Sequence, residues 1–456
     1  MTTIPFVCSV IRAAPGRKMT SSMQQFSERV EVPVWDLVVS WLILFPLLSF
    51  VSNGVFWFQA STLNNALTQQ FGALARADNS SADNTANTLL VLLVLIAILF
   101  SKFKAVLNLL GRYKVFVAIV VWPMLSCVWS QLPIVSLEWS ILAAFELLFA
   151  FYLFQRFSSK QIMQLMLTFG WICLAISICV AVLLPQYGID HSEAEGAWRG
   201  MYFHKNLCSM ATVFLLLVSF YAPTPTLLSK LLRTAYVCTS IFVVIMTRSA
   251  TGKAALLFSL AFVIFTKLAA LFRFKDRAAV LAFGSVIGVA AISAGVIYER
   301  DITLALGKDP TLTGRTEIWE AIMPSITKHP LLGYGYRAFW RGYQGESANA
   351  SLAAHWAITS AHNAYLEVWL TLGAIGVFLI LITLVKAVRD TYICLSRADR
   401  PHLGWYASII FLTIVFSVDE GGMVLPSSLP WILYIIACIG LSEEAKSIRS
   451  GTVYAS

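Results

Sequence analysis

Charge is the scarcest property of this sequence. Only 12% of its 456 residues are Asp, Glu, Lys or Arg, while 58% are hydrophobic and the mean hydropathy is +0.75. A soluble domain carries about 25% charged residues, so a water-soluble globular fold is disfavoured and a polytopic membrane protein is expected. The length leaves room for many spans of about 20 residues each.

Motifs of metal and thiol chemistry are also missing. The sequence has no CxxC pair, no Asp-x-Asp pair, no HExxH and no His/Cys cluster, so we expect neither a metal site nor a cofactor. The eight cysteines lie almost entirely within apolar segments. This placement is typical of small buried hydrophobes and not of a disulfide framework.

Apolar runs of helical length are what the sequence has in abundance. They predict an all-α membrane protein with about 12 transmembrane helices. The candidate spans fall at roughly 35–58, 87–101, 114–129, 137–155, 161–184, 206–222, 229–247, 253–272, 278–298, 363–386, 403–418 and 427–442.

Basic residues orient these spans. Of the 33 Lys and Arg residues, 22 fall on the side of both termini, five in the short loops of the other side, and six in the long loop 299–362. Because short cytoplasmic loops are enriched in Lys and Arg, both termini are predicted to be cytoplasmic. Topology thereby accounts for the net charge of +9, and no nucleic-acid partner is expected.

The predicted organisation follows from the spans. It comprises a cytoplasmic tail at 1–34, helices one to nine at 35–298, a periplasmic loop at 299–362, helices ten to twelve at 363–442 and a cytoplasmic tail at 443–456.

The long loop is predicted to be partly helical. Ile318, Ile322 and Ile326 lie four residues apart and predict one apolar helix face. Pro324 is expected to kink or end this helix near its second turn. The glycines of His329–Tyr336 (HPLLGYGY) permit a tight turn, so we expect a lid over the cavity between the helices.

Polar residues that are costly in a membrane gather on the outer side of this topology. They come from four separate segments: Arg199, His204 and Lys205 from the first, Arg248 and Lys253 from the second, Arg315 and His362 from the long loop, and Asp419 and Glu420 from the last outer turn. Each could also have a purely structural role, such as snorkelling to headgroups, helix capping or a satisfied histidine. Glu146 and Glu367 lie within spans and are expected to face the bundle interior, where either of them could simply pair with an arginine.

The residue types indicate a chemistry. Arginine binds phosphate oxygens with a two-pronged contact at any relevant pH. A histidine that is neutral near pH 7 can accept a proton from a hydroxyl nucleophile. Outer-side aromatics such as Trp198, Tyr202, Trp319, Tyr334 and Tyr336 can stack on sugars, or they can form an interfacial belt.

Three blocks in the long loop resemble the superfamily of O-antigen ligases and Wzy-type polysaccharide polymerases. They are Gly314-Arg315 with Ile318-Trp319, His329–Gly335, and Ala361-His362-Asn363 with Glu367. Upstream, the segments Trp198–Asn206 and Thr247–Lys253 look most like those of bacterial exopolysaccharide polymerases. The resemblance covers about residues 195–385.

This resemblance implies a metal-independent GT-C-type glycosyltransferase of the bacterial inner membrane, acting on the periplasmic side. The implied donor is a glycan on undecaprenyl pyrophosphate, the acceptor is a second glycan, and chain-length regulators and export proteins are expected partners. Arg248 and Arg315 match the arginines that hold the pyrophosphate, and His362 matches the residue that activates the acceptor hydroxyl. Arg199, His204, Lys205 and Glu367 are assigned to substrate binding.

Polymerase and O-antigen ligase remain alternatives, since only the His204-Lys205-Asn206 segment favours the polymerase. A lipid or solute transporter is the alternative from another class. Transporters tend to place polar sites at the bilayer midplane and often contain internal repeats. Here the charge lies at the outer rim and no repeat is evident. A scaffold without catalysis would leave the clustered Arg and His residues unexplained.

The topology is tested by cysteine labelling. A cysteine placed at Ala348 should react with a membrane-impermeant reagent added from the periplasmic side, because the long loop is predicted to face outward. A cysteine placed beside Arg397 is the matched inner control and should react only after permeabilisation. The opposite pattern would reverse the orientation and remove the shared outer site.

Overall fold

The computed structural model describes residues 107–190, 196–202, 204–297, 315–419 and 429–451, and nearly all of this is helix. Residues 107–112 form a helical turn. The helices that follow are α1 Lys114–Leu125, α2 Pro133–Arg156, α3 Ser159–Leu183, α4 Pro185–Gly188, α5 Lys205–Ser219, α6 Leu227–Met246, α7 Ala250–Ala269, α8 Phe274–Ile297, α9 Arg315–Lys328, α10 Ser347–Ala353, α11 Ala364–Arg397, α12 Pro401–Asp419 and α13 Leu429–Arg449.

Within the described residues a helix covers most of each predicted span, whereas α4, α9 and α10 lie outside the spans and α11 continues past the predicted end at 386. The predicted spans 35–58 and 87–101, the tail 1–34 and residues 299–314 of the long loop lie outside the described residues. Within the described part of the chain, six helices are long and apolar enough to cross a membrane: Pro133–Arg156, Ser159–Leu183, Leu227–Met246, Ala250–Ala269, Ala364–Arg397 and Pro401–Val418. The prediction of a mostly helical, polytopic membrane protein is confirmed.

One small element departs from the all-helical prediction. Ile189–Asp190 (β1) pairs antiparallel with Ala197–Trp198 (β2) between α4 and α5.

The centre of the bundle is α13. All its residues from Leu429 to Leu441 are buried, and Trp431 is fully enclosed. A helix that is apolar on every side belongs inside a bundle. Its neighbours α11, α12 and α2 pack around it, and the Trp431 and Tyr434 rings stack with centroids 5.8 Å apart.

Ion pairs concentrate at one end of the bundle. Arg277 forms a bond of 2.7 Å with Asp399, Arg400 pairs with Glu444 at 2.7 Å, and Arg112 pairs with Glu443 at 3.0 Å. We call this the ion-paired end. The Lys and Arg residues involved belong to the set that the topology assigns to the cytoplasmic side.

Helix α11 is broken inside its apolar run. Gly373 has φ 70° and ψ −174°, a conformation open essentially to glycine alone. A break at this depth frees backbone carbonyls and amides that lipid cannot satisfy.

The His329–Tyr336 block fills that break. The amides of Tyr334 and Gly335 donate to the carbonyls of Leu370 (3.0 Å) and Thr371 (2.9 Å). The Ala374 amide donates to Pro330 at 2.8 Å, and the indole of Trp122 donates to Leu372 at 2.9 Å.

The contact between the block and the break is tight on both sides. A Cβ at Gly373 would lie 2.0 Å from the Leu331 carbonyl oxygen, and one at Gly333 would lie 2.5 Å from the Thr371 carbonyl carbon. The predicted tight turn is present, with φ 66° at Gly333 and 100° at Gly335. We call the end of the bundle that carries this block the loop end.

The long-loop helix α9 is longer than expected. Ile318, Ile322 and Ile326 are all buried, which confirms the predicted apolar face. Of the two outcomes expected of Pro324, a helix end near the second turn is wrong, because α9 continues through Pro324 to Lys328, and the kink stays a prediction. Burial of Ile322 and Ile326 on the two sides of the proline outweighs the lost backbone hydrogen bond.

Replacing Gly373 tests the broken helix. Gly373→Ala should destabilise the purified protein by at least about 1–3 kcal/mol, since the new Cβ meets both a forbidden backbone conformation and the Leu331 carbonyl. Thermal unfolding in detergent measures it. Gly288→Ala in α8 is the control, because its Cβ has nothing within 4 Å. Equal unfolding temperatures for both variants would contradict the described contact.

Candidate functional site

The loop end brings together the starts of three helices and the end of a fourth. The Ser249 hydroxyl at the start of α7 donates to the Asn206 side chain at the start of α5, at 2.8 Å. The Asn363 amide nitrogen at the start of α11 donates to the Val418 carbonyl near the end of α12, at 3.1 Å. The predicted catalytic and binding residues lie at or near these helix ends, except Arg315, which begins α9.

His204, Lys205 and Asn206 form the first turn of α5. The His204 imidazole caps the helix by accepting a hydrogen bond from the Asn206 amide at Nδ1, at 3.2 Å. Lys205 is half-buried. Ser249 both bonds Asn206 and caps α7 through the Gly252 amide, so the starts of α5 and α7 form one unit.

Arg248 lies at the elbow between α6 and α7. Its φ of 53° is left-handed, which is uncommon for a residue with a side chain. Flanked by buried Thr247 and Ser249, it is itself exposed. A Cβ at Gly196 would lie 3.6 Å from its guanidinium, so the guanidinium lies beside Gly196, immediately before β2.

Arg199 is held by the turn that precedes the hairpin. Its backbone amide donates to Gly188 at 2.8 Å, and its Nε donates to the Tyr187 carbonyl at 2.8 Å. Burial lowers the pKa of the Arg199 guanidinium, and the nearby Asp190 carboxylate opposes this by favouring the charged form. A normal arginine pKa is so high that the side chain stays charged. Arg199, His204, Lys205 and Arg248 make up what we call the α5–α7 group.

His362 lies on the turn that enters α11. Its φ of 46° is again left-handed, and its amide donates to the Ser360 hydroxyl at 3.4 Å. The next residue, Asn363, caps α11 by accepting from the amides of Tyr365 and Leu366 at 3.0 Å each. The imidazole is half-buried.

Glu367 holds the His362 turn in place through hydrogen bonds to its carboxylate. One carboxylate oxygen accepts from the Ala361 amide at 2.8 Å, and the other accepts from the Trp340 indole at 2.7 Å. The side chain is buried. These two bonds tie the residue before His362 to the loop that follows the His329–Tyr336 block.

Arg315 is connected to the His362 turn by helix α9. It opens α9 one helical turn before Trp319, on the same face. The Trp319 indole donates to the Ala361 carbonyl at 3.0 Å, directly before His362. Arg315, His362 and Glu367 therefore make up a second group, which we call the α11 group.

Helix α12 lies between the two groups. Phe416 of α12 contacts Phe214 of α5 with ring centroids 6.1 Å apart, and Phe411 stacks on Phe262 of α7 at 4.2 Å. Asn363 binds the end of the same helix from the α11 side. The structure thus places both groups at one end of the bundle, one on each side of the end of α12.

Sequence reasoning missed several contributors. Arg337 has φ 55°, and its guanidinium lies 3.8 Å from the centroid of the Trp139 ring. Trp340 and Ser249 position other residues through single hydrogen bonds. Of the aromatics named above for sugar stacking, Tyr202, Tyr334 and Tyr336 are buried in the protein, whereas Trp198 and Trp319 are half-buried. Among the described residues, no group of three His, Cys, Asp or Glu is arranged to hold a metal ion.

Part of the chain matches a known protein family. A family model described as O-antigen ligase matches residues 235–381, a stretch that contains Arg248, Arg315, His362 and Glu367. The resemblance to the O-antigen ligase and Wzy-type superfamily is thereby confirmed.

A similar protein is also known. The chain is 38% identical over 124 residues to the exopolysaccharide production protein ExoQ of Rhizobium meliloti (strain 1021). The matched stretch covers 26% of this chain and 27% of that protein, so the chain matches about a quarter of the relative's length.

Proposed function

We propose that this protein polymerises lipid-linked oligosaccharide repeat units into an exopolysaccharide at the periplasmic face of the bacterial inner membrane. The donor is a glycan on undecaprenyl pyrophosphate, the full chain has about 12 membrane helices in a GT-C-type arrangement, and no metal takes part. The observation that carries the proposal is the α11 group, where Trp319 and Glu367 join the helix of Arg315 to the turn of His362.

The chemistry needs two kinds of side chain. A hydroxyl of the acceptor sugar attacks the anomeric carbon of the donor, and the bond from that carbon to the pyrophosphate oxygen breaks. His362 takes the hydroxyl proton. Undecaprenyl pyrophosphate departs as an anion, and Arg248 and Arg315 stabilise it electrostatically. Because this leaving group is already a stable anion, a protonating acid and a metal are both dispensable.

The α5–α7 group suits the pyrophosphate. Arg248 is exposed beside the hairpin, and Arg199 and Lys205 lie on the same unit. Two forked cations and one ammonium match the oxygens of a diphosphate. The His204 imidazole caps α5 through Nδ1, and we assign the residue to substrate binding together with Arg199 and Lys205.

Glu367 acts through His362 in this proposal. Both of its oxygens already accept hydrogen bonds from the protein. We therefore revise its role from substrate binding to positioning of the Ala361–His362 turn.

The O-antigen ligase match favours a second candidate, transfer of a finished lipid-linked glycan to lipid A-core. The relative described as an exopolysaccharide production protein favours the polymerase. Cells lacking the gene decide between them. Loss of polymer with accumulated single lipid-linked repeats supports the polymerase, whereas full-length polymer that fails to reach lipid A supports the ligase.

Substitution of His362 tests the base. His362→Asn removes the base but tolerates left-handed backbone, so turnover should fall by about 10²–10⁴-fold with donor binding nearly intact. His355→Asn is the matched control, because His355 is an exposed loop histidine with φ 64°. Normal turnover per folded molecule in His362→Asn would end the assignment.

Substitution of Arg315 tests the anion contact. Arg315→Lys keeps the charge but loses the fork, so most activity should be lost. Arg315→Ala should lose more and should also weaken donor binding. Lys328→Ala removes a cation at the far end of α9 and should change neither quantity. Equal loss of donor affinity in the Arg315→Ala and Lys328→Ala proteins would show that net loop charge, not Arg315, holds the donor.

Chelation tests the absence of a metal. Transfer in purified membranes should be unchanged by EDTA, because arginines replace the metal in stabilising the leaving group. An activity that EDTA abolishes and a divalent cation restores would overturn the arginine mechanism. A membrane preparation of a known metal-dependent transferase serves as the positive control for chelation.

A further inference from the structure

The His329–Tyr336 block meets α11 at a depth that belongs to the membrane. Gly373, where the helix is broken, precedes Arg389 by about 16 residues, which is about 24 Å of helix at a rise of about 1.5 Å per residue. Arg389 and Arg449 both pair with Asp390, at 2.8 and 3.5 Å, and Arg449 ends α13 at the ion-paired end. A hydrocarbon core is about 30 Å thick, so the break lies within it, and any tilt of α11 brings the break closer to the ion-paired boundary.

Helix α1 gives an independent measure of this depth. The Trp122 indole, which donates to the Leu372 carbonyl at 2.9 Å, follows Lys114 by about eight residues, or about 12 Å of helix. Lys114 begins α1 directly after the Arg112–Glu443 ion pair. Both helices therefore place the contact between the block and α11 inside the apolar layer and not above it.

Two leucines of the block lie at the same depth and are exposed. The Leu331–Leu332 peptide is the part of the block that touches the break, since a Cβ at Gly373 would lie 2.0 Å from the Leu331 carbonyl oxygen and 2.4 Å from the Leu332 nitrogen. Leu331 is nevertheless 63% exposed and Leu332 41% exposed. A side chain that leaves the protein surface at this depth meets hydrocarbon and not water.

The polar backbone beside these leucines is satisfied within the protein. The Trp129 indole donates to the Leu332 carbonyl at 3.1 Å, and the Trp369 indole donates to the Pro330 carbonyl at 3.0 Å. Non-helical backbone at membrane depth is tolerated only where such partners exist, because lipid offers none. The short segment thus turns its carbonyls towards indoles and its apolar side chains outward.

The exposed apolar surface continues on both helices that hold the block. Leu125 and Val128 of α1 are exposed, as are Ile375 and Phe378 of α11. On helices that lie in the apolar layer, exposed side chains of this kind contact lipid. The occupant that this surroundings favours for the two leucines is therefore the acyl chains of the bilayer.

We propose that residues 330–333 form a re-entrant wedge whose leucine side chains contact acyl chains of the leaflet at the loop end. The wedge enters from the long loop, makes its contact with α11 inside the membrane and returns to the loop. Part of the loop predicted to lie wholly outside is thereby assigned to the membrane itself. The long loop is anchored by lipid as well as by α11, and this inference does not depend on the proposed transfer.

Nitroxide labels test the depth of the wedge. Leu331→Cys is labelled in protein whose native cysteines have been replaced by alanine, and the protein is reconstituted into vesicles of phosphatidylethanolamine and phosphatidylglycerol. Asn349→Cys is the control, because Asn349 is an exposed residue of the same loop beside the Lys328–Glu346 ion pair. Power-saturation electron paramagnetic resonance measures collisions of each label with oxygen, which concentrates among acyl chains, and with a water-soluble nickel chelate.

The label at Leu331 should have a ratio of oxygen to nickel collisions above one, and the label at Asn349 a ratio below one. Leu332→Cys should behave like Leu331→Cys and replaces it if that variant does not fold. A Leu331 label that favours nickel would place the wedge in water and overturn the proposal. Poor access to both reagents would also overturn it, because a protein surface would then cover the leucines. The measurement involves no substrate, so a failure of the proposed transfer would leave its result unchanged.

Discussion

The insertion of the His329–Tyr336 block into broken helix α11 is the interaction on which the loop end depends. A helix in lipid satisfies its own backbone, and a break forfeits that. Here the lost bonds are replaced by the amides of Tyr334 and Gly335, the carbonyl of Pro330 and the indole of Trp122. The loop is therefore anchored by backbone hydrogen bonds in a low-dielectric setting, where such bonds are strong. The functional residues that the loop carries are held in place through this contact.

That anchoring extends to the candidate site in two steps. Tyr334 donates to the Ser325 carbonyl of α9, which fixes the helix that begins at Arg315. Trp340 binds Glu367, which in turn holds the residue before His362. Groups that act on a reacting centre must be held within a fraction of an ångström. The His329–Tyr336 block thus has a structural role, because it positions the loop. In the proposed mechanism the chemical steps are carried by Arg315 before the block and His362 after it.

The helices could be located from the sequence because apolar runs of that length, in a chain so poor in charge, seldom form anything but membrane helices. The buried face of α9 was equally accessible, since Ile318, Ile322 and Ile326 repeat at helical spacing. The break at Gly373 could not be predicted from the sequence, because the local sequence is a continuous apolar run. The His329–Tyr336 block that stabilises the break lies about forty residues upstream. Pro324 was misjudged because local propensity was weighed without the packing of Ile326.

The site residues also divide into those that the sequence predicts and those that depend on the folded structure. Arg248, Arg315 and His362 stood out because charge in an apolar chain is costly, whatever surrounds it. The role of Glu367 could not be predicted, since it depends on where Trp340 and the Ala361 amide lie.

Arg248, Arg337, His355 and His362 share one backbone feature, which has an evolutionary consequence where the side chain is also needed for activity. Each is a non-glycine residue on left-handed backbone, a conformation in which glycine would cost less free energy. At these positions selection for stability alone would drift towards glycine, and selection for the side chain must oppose it. The loop end is thus a place where stability and activity trade against each other. Homologues that have lost the activity are expected to show that relaxation at Arg248 and His362, the two of these positions with a role in the proposed transfer.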